Sequence, residues 1–223
     1  MKISEVFESI QGESSWSGLP CVFVRFFGCN LNCSYCDSIY ATKGKDFKDM
    51  GVKDVGEKII SYNNGIVEFT GGEPLLQLKS IIDIIKYLRE NNPEQAYHFL
   101  IETNGSIELD PIMEKFGKEN LEDIYFIMDF KMLSSDMHEK MVSENLNCLR
   151  LQDEIKFVCG TRKDYEVART YISELKLGNA IISPVFGMIE PRQLAEWILE
   201  DKLKARFQIQ MHKIIWDQKK RGV

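Results

Sequence analysis

Three cysteines fall within eight residues in the segment Gly28-Cys29-Asn30-Leu31-Asn32-Cys33-Ser34-Tyr35-Cys36-Asp37, spaced C-x3-C-x2-C among polar, turn-favouring neighbours. Thiolates so spaced on a loop can wrap one small polynuclear centre, and thiolate is the ligand that iron takes in iron–sulfur clusters. Four irons held by three local cysteines leave one iron open, and an open iron is a place for catalysis rather than for electron carriage alone. The competing readings are a structural zinc site and a chance group of core cysteines. Zinc needs a fourth protein ligand, usually from a second paired motif. His98, His138 and His212 are isolated, and no second C-x2-C exists. Cys21, Cys148 and Cys159 are scattered and read as buried small hydrophobes.

A second candidate element is Thr70-Gly71-Gly72-Glu73-Pro74. Its glycines would let a ligand approach the main chain closely, and Glu73 can accept from an ammonium. Alone, the segment is equally an ordinary strand-to-helix turn. Glu102, Thr103, Asn104 and Gly105 form another polar strand end, and Asp129 with Lys131 a third. Turn chemistry or a surface ion pair accounts for any one of these equally well.

The elements that must position these groups are legible as short apolar runs at Cys21–Phe27, Ile66–Phe69, Tyr97–Glu102, Ile124–Phe130, Glu154–Cys159, Ala180–Val185 and Phe207–Met211. Each has the length and composition of a buried strand. Helical patterns separate most of them. Leu78, Ile81, Ile82, Ile85 and Leu88 share one face, and Lys163–Leu175 and Pro191–Leu203 look similar, the latter with Pro191 in a first helical turn. Strands alternating with helices predict an α/β class with a mainly parallel sheet. In such a sheet the site lies beyond the strand ends, where the segments 28–37, 70–74 and 103–105 all fall.

The bulk properties narrow the partners. With 223 residues, 44% hydrophobic and 28% charged, the chain suits one soluble domain over 1–223, without an internal repeat or linker. A formal net charge of -6 works against non-specific nucleic-acid binding and favours a small-molecule substrate. The start MKISEVFES lacks the basic-then-apolar pattern of a secretory signal, and no uninterrupted apolar run is long enough for a membrane span. A cytoplasmic protein is expected, where thiols stay reduced and clustered cysteines serve metals better than disulfides.

The C-x3-C-x2-C spacing with Tyr35 before its last cysteine resembles the signature of the radical S-adenosylmethionine superfamily, and Thr70–Pro74 resembles its glycine-rich element. The resemblance implies a partial TIM-like barrel of about six parallel strands with helices outside and the cluster loop after the first core strand. It implies a 4Fe-4S cluster on Cys29, Cys33 and Cys36, with S-adenosylmethionine chelated to the open iron and cleaved to methionine and a 5′-deoxyadenosyl radical. The implied cofactor contacts are Tyr35, Asp37, Gly71, Gly72, Glu73, Glu102, Asn104, Asp129 and Lys131.

Both chain ends narrow the resemblance. Glu8-Ser9-Ile10-Gln11-Gly12-Glu13, Phe23-Val24-Arg25-Phe26-Phe27-Gly28-Cys29, Cys36-Asp37-Ser38, and the ending from Gln210-Met211-His212 to Arg221-Gly222-Val223 are similar to the 7-carboxy-7-deazaguanine synthases of queuosine-precursor biosynthesis. That family implies a lyase that contracts 6-carboxy-5,6,7,8-tetrahydropterin to 7-carboxy-7-deazaguanine with loss of ammonia. Ile10, Gln11, Gly12 and Glu13 would then grip the pterin's hydrogen-bonding edge, Arg25 its carboxylate, and Thr70 the substrate beside the cofactor loop. His212 and the terminal carboxylate of Val223 would close the pocket, and Ser38 would help hold a magnesium ion. A homodimer and an electron donor such as a flavodoxin or ferredoxin complete the implied set.

Plainer roles stand beside these. Arg25 also reads as a buried ion-pair partner, and His212 as a satisfied core histidine. Trp16, Phe26 and Phe27 read as packing, and Lys219, Lys220 and Arg221 as a solvated basic tail. Ser14 stands where many relatives have glycine, so a positive φ there would strain it. A glycyl-radical activase is the alternative within the same chemistry. A non-catalytic iron–sulfur carrier is the alternative outside it, and it leaves Thr70–Pro74 without a purpose.

Overall fold

The structure, a computed structural model, describes residues 1–117, 120–217 and 220–223. Its strands are β1 (Lys2–Ile10), β2 (Pro20–Phe26), β3 (Lys48–Asp49), β4 (Ile66–Gly71), β5 (His98–Thr103), β6 (Ile124–Asp129), β7 (Glu154–Cys159), β8 (Ala180–Pro184) and β9 (Arg206–Phe207). Among the described residues these form one open sheet in the order β3-β1-β2-β4-β5-β6-β7-β8-β9. From β2 to β9 every neighbour is parallel, while β1 runs antiparallel to β2 and β3. The expected partial barrel is present, with the cluster loop after β2, its first parallel strand.

The helices are α1 (Val52–Ser61), α2 (Leu78–Asn91), α3 (Asp110–Phe116), α4 (Asn145–Cys148), α5 (Arg162–Leu175), α6 (Pro191–Glu200) and α7 (His212–Ile215). Parallel strands must be covered on both faces, which is why all residues of β7 and β8 are buried and their sequences are near-continuous apolar runs. Phe69, Phe99, Phe126 and Phe157, on β4 to β7, join Ile81, Ile84, Ile85 and Leu88 of α2 in one core. The buried face of α2 is therefore turned slightly from the expected one, taking Ile84 and leaving Leu78 and Ile82 half-buried. α5 opens on a capping box in which the Asp164 N–H donates to Thr161 Oγ1 (3.2 Å) and the Thr161 N–H to Asp164 Oδ2 (2.9 Å).

Three strands differ from the sequence reading, the short β3 (Lys48–Asp49) among them. β1 is nine residues long and was not expected, because a register shift between Ile3 and Glu5 breaks the alternation that marks a strand. The run Phe207–Met211 contributes only Arg206–Phe207 to the sheet. Beyond it the chain turns away to meet the loop after β1.

That meeting ties the two ends of the chain together. Gln208 clasps Ser14, accepting from its N–H at 2.6 Å and donating to its carbonyl at 2.8 Å, and the Met211 N–H donates to the Gly12 carbonyl at 3.0 Å. The Ser15 N–H reaches both carboxylate oxygens of Glu154 at the start of β7, and Trp16 packs on His98 and Tyr125 at the starts of β5 and β6. The loop thus covers the end of the barrel opposite the cluster loop, and Trp16 acts in packing. Among the described residues no helix is long and apolar enough to cross a membrane.

Candidate active site

A cavity of about 810 Å³ opens at the C-terminal ends of the parallel strands. All the site residues named from the sequence line it except Glu73.

At its rim lies the cysteine loop, fastened from two sides. Asn104, just past β5, donates from Nδ2 to Asn30 Oδ1 at 3.0 Å and approaches Cys29 Sγ at 3.7 Å. Beyond β6, the Ser135 and Ser134 carbonyls accept from the Ser34 N–H (3.1 Å) and Ser34 Oγ (2.6 Å). Cys29, Cys33 and Cys36 all face the cavity. Burial pushes the Cys33 thiol up to about 11 and raises Cys29 as well. A metal centre that claims thiolates therefore displaces protons when it assembles here. The Leu31 N–H lies 3.4 Å from Cys29 Sγ, so both it and Asn104 offer hydrogen to a thiolate sulfur, the kind of contact that tunes a cluster.

The glycine element is pressed against this loop. A Cβ on Gly71, whose φ is +127°, would fall 2.1 Å from the Phe26 carbonyl oxygen, and one on Gly72 2.1 Å from that of Gly28. Only glycine allows such an approach, and it lets the Gly72 and Glu73 N–H groups donate to those carbonyls at 3.1 and 2.8 Å. Glu73 is set back from the cavity and 1% exposed. Its carboxylate accepts from the Leu75 N–H, Thr103 Oγ1 and the Asn104 N–H at 3.0, 2.9 and 2.7 Å. Burial pushes it up to about 7 against those three donors. What this element offers the cavity is the backbone of Gly71 and Gly72, with the Glu73 side chain bracing it from behind.

The floor is a charged cluster. Lys156, in the middle of β7 and 2% exposed, forms ion pairs with Glu102 of β5 (2.7 Å) and with Glu13 of the N-terminal loop. Thr70 Oγ1 donates to the other oxygen of Glu102 at 2.8 Å, and Gln210 Nε2 donates to the other oxygen of Glu13 at 2.6 Å. Gln11 Nε2 donates to Glu68, which β4 buries. Burial opposes the charge of Glu102, but Lys156 outweighs it and holds the carboxyl down at about 2. Burial would likewise lower Lys156, and Glu102 with Glu13 reverse that, keeping it a cation. Burial, reinforced by Glu102, drives the Glu68 carboxyl the other way, well above its ordinary range.

The wall toward β1 and β2 is cationic. The Arg25 guanidinium lies over the Phe7 ring, and Glu5 Oε1 stands 3.8 Å from its Nε. Among the described residues that buried Nε has no hydrogen-bond partner. The tail folds over this wall. Lys213 pairs with Asp37 at 2.8 Å, and a Cβ on Gly12 would fall 2.4 Å from His212 Nδ1, so glycine is what admits the histidine there. The expected solvated tail is in part a clasp, since Arg221 pairs with Asp46 and lies 3.8 Å over the Tyr40 ring, and Lys220 covers Trp216. Lys219 lies outside the described residues. Lys131 and Asp129 pair at 2.7 Å, leaving Asp129 Oδ1 buried without a partner among the described residues.

A family model described as the Radical SAM superfamily matches residues 23–150, from Arg25 and the cysteine loop through the polar ends of β4, β5 and β6. Over the full length, the chain is 37% identical to the 7-carboxy-7-deazaguanine synthase of Koribacter versatilis, covering 100% of each chain. It is 40% identical to that of Clostridium acetobutylicum, covering 100% of this chain and 99% of the relative. This chain belongs to the 7-carboxy-7-deazaguanine synthase family. Among solved structures, QueE from Escherichia coli shares the fold at a TM-score of 0.70 and 20% identity over 95% of this chain and 94% of the other. Native anSMEcpe with bound AdoMet matches at a TM-score of 0.56 and 19% identity over 82% and 62%.

As a radical S-adenosylmethionine enzyme it takes a 4Fe-4S cluster and that cofactor, and three cavity-facing cysteines with N–H donors aimed at Cys29 fit such a group. Sequence reading missed Glu68, Lys156 and Gln208, and it quoted Gln210 without giving it a role. The first two carried a signal, a charged residue inside an otherwise apolar strand, as in Ile66-Val67-Glu68-Phe69 and Ile155-Lys156-Phe157-Val158. The glutamines carried none, because their partners are set by how the chain ends meet.

Proposed function

We propose that the enzyme converts 6-carboxy-5,6,7,8-tetrahydropterin to 7-carboxy-7-deazaguanine with loss of ammonia. One observation carries this reading. The cavity sets polar groups at two places, the underpaired guanidinium of Arg25 on one wall and the Gln11, Glu13 and Glu68 group at the floor. A carboxylated pterin has the matching dipolar pattern, an anionic carboxylate on one side and an amino-pyrimidinone edge rich in donors on the other. Arginine's forked donors suit the carboxylate, and carboxyl and amide groups suit the edge. The predominantly apolar floor usual for drug-like ligands is absent from the described residues.

Cys29, Cys33 and Cys36 would hold the cluster, which with the cofactor would supply the hydrogen-abstracting radical chemistry at the substrate. The chain's own residues do the rest. Arg25 anchors the carboxylate so that C6 faces the cysteine rim, and the backbone of Gly71 and Gly72, with Asn104, Asp129 and Lys131, receives the cofactor's polar groups. Thr70, tied to Glu102, separates the two ligands. Ser38, beside Cys36, would offer a hydroxyl to a magnesium ion, which would supply charge stabilisation beside the substrate. The tail, with His212 and Val223, covers the substrate and excludes water. The same reading carries a single cytoplasmic domain over 1–223 that works as a homodimer and draws electrons from a flavodoxin or ferredoxin, on the family resemblance alone.

The test is anaerobic reconstitution of the cluster, reduction, and addition of S-adenosylmethionine with and without the pterin. Formation of the deazaguanine acid is the expected result. Cofactor cleavage without that product would assign the chain to other radical chemistry.

A further inference from the structure

The lysine at the cavity floor has no counterpart in the needs of a donor-rich substrate edge, which calls for acceptors. Its surroundings explain it. Lys156 is 2% exposed and its two carboxylate partners come from unrelated parts of the chain, Glu102 on a neighbouring region of the sheet and Glu13 on a loop without strand pairing of its own. Glu102 is itself fixed by Thr70 Oγ1 at 2.8 Å. Glu13 is held on one oxygen by Lys156 and on the other by Gln210 Nε2 at 2.6 Å. A carboxylate has about four lone-pair sites, so these two contacts leave two for a ligand and set their direction.

We propose that Lys156 is a positioning residue for the substrate, its ammonium bridging β5 to the N-terminal loop and so fixing the Glu13 carboxylate where it meets the amino-pyrimidinone edge of the pterin. The inference rests on the pterin reading above. Without the lysine, the Glu13 carboxylate keeps, among the described residues, only Gln210, and Glu13 and Glu102 lose the cation they share. Burying an uncompensated charge is far costlier than losing the pair's net attraction, so the Glu13 side chain turns away from Glu102 toward water while Gln208 and Glu154 keep the loop backbone in place. The cysteine loop, fastened by Asn104 and by the Ser134 and Ser135 carbonyls, makes none of these contacts and keeps its place.

The probe is 6-carboxypterin, whose own fluorescence reports binding at equilibrium without turnover. Lys156→Met should weaken its binding by on the order of 10²-fold and raise the substrate KM in proportion, while S-adenosylmethionine binding to the reconstituted enzyme changes by less than about 3-fold. In a Glu13→Gln background the same substitution should add less than about 3-fold, because its effect runs through Glu13. Losses that multiply independently, or an unchanged affinity, would overturn the proposal. Lys156→Met/Glu102→Gln keeps the floor's charge balance if the single variant does not fold, and wild-type affinity in that protein would likewise sink it. Failure of the unaltered enzyme to turn over the carboxylated tetrahydropterin would instead remove the pterin reading.

Discussion

At the rim of the cavity, Cys29, Cys33 and Cys36 come from one loop and need only that loop and its two fastenings to converge. At the floor, Gln11, Glu13, Glu68, Glu102 and Lys156 come from the N-terminal loop and three strands, and they converge only because the sheet curls and the two chain ends meet. The rim holds chemistry shared across a superfamily, and on the proposed reading the floor selects the substrate. Local construction makes the first robust to change elsewhere, and long-range construction makes the second tunable by single substitutions but dependent on the whole fold.

Separating the two regions by mutation tests this division. The largest effect is expected from Cys33→Ala, which should abolish cluster iron and cofactor cleavage, read by iron content and 5′-deoxyadenosine, while 6-carboxypterin still binds. Loss of pterin binding in that variant would show the regions to be one unit. Arg25→Ala should do the reverse, leaving cofactor cleavage within about 3-fold while turnover falls by on the order of 10²-fold or more, since a charge-assisted forked contact is lost. Unimpaired turnover would remove Arg25 from its assigned role.

A third test uses acid. Glu102 is held at about 2 in the folded protein, below its ordinary value of 4.5, by Lys156 acting against burial. A carboxyl whose pKa falls on folding adds stability above the unfolded value and loses it as pH drops through the folded one. The contribution is therefore whole above about pH 4.5 and disappears toward about pH 2. Glu102→Gln should flatten that limb of a urea-midpoint profile and cost about 1–3 kcal/mol at neutral pH. An unchanged limb would mean that the floor pair contributes little to folding.

The smallest effect concerns Ser14, whose φ of 63° lies in the left-handed region that glycine adopts without strain, and which Gln208 clasps on both its backbone groups. Ser14→Gly should stabilise the fold by up to about 1 kcal/mol by relieving strain. The gain is limited because Ser14 Oγ accepts from the Trp16 N–H at 3.2 Å. A net loss in thermal midpoint would show that this hydrogen bond outweighs the strain.

Much of the fold was readable because parallel strands buried on both faces are written as apolar runs, and β2 and β4 to β8 all lie where such runs do. β1 escaped because its register shift between Ile3 and Glu5 erases the two-residue period. Glu73 was legible as a member of its loop but not as a group set behind it, since sequence order does not say which way a side chain turns at a strand end. Arg221 looked like part of a solvated run because its partners, Asp46 and Tyr40, are far away in the chain.

Sequence by itself determined the chemistry: three thiolates at a spacing that leaves an iron open, a glycine element, and the alternation of strands and helices that carries them to one end of a sheet. These are short-range facts, enforced by local geometry. Only the tertiary structure decided the charge pattern of the floor, with Lys156 paired to both Glu102 and Glu13 while burial pushes the Glu68 carboxyl well above its ordinary range. Ionisation in a buried site depends on which groups are brought within a few ångströms of one another, and that depends on closure of the sheet and of the chain's two ends, which no local spacing encodes.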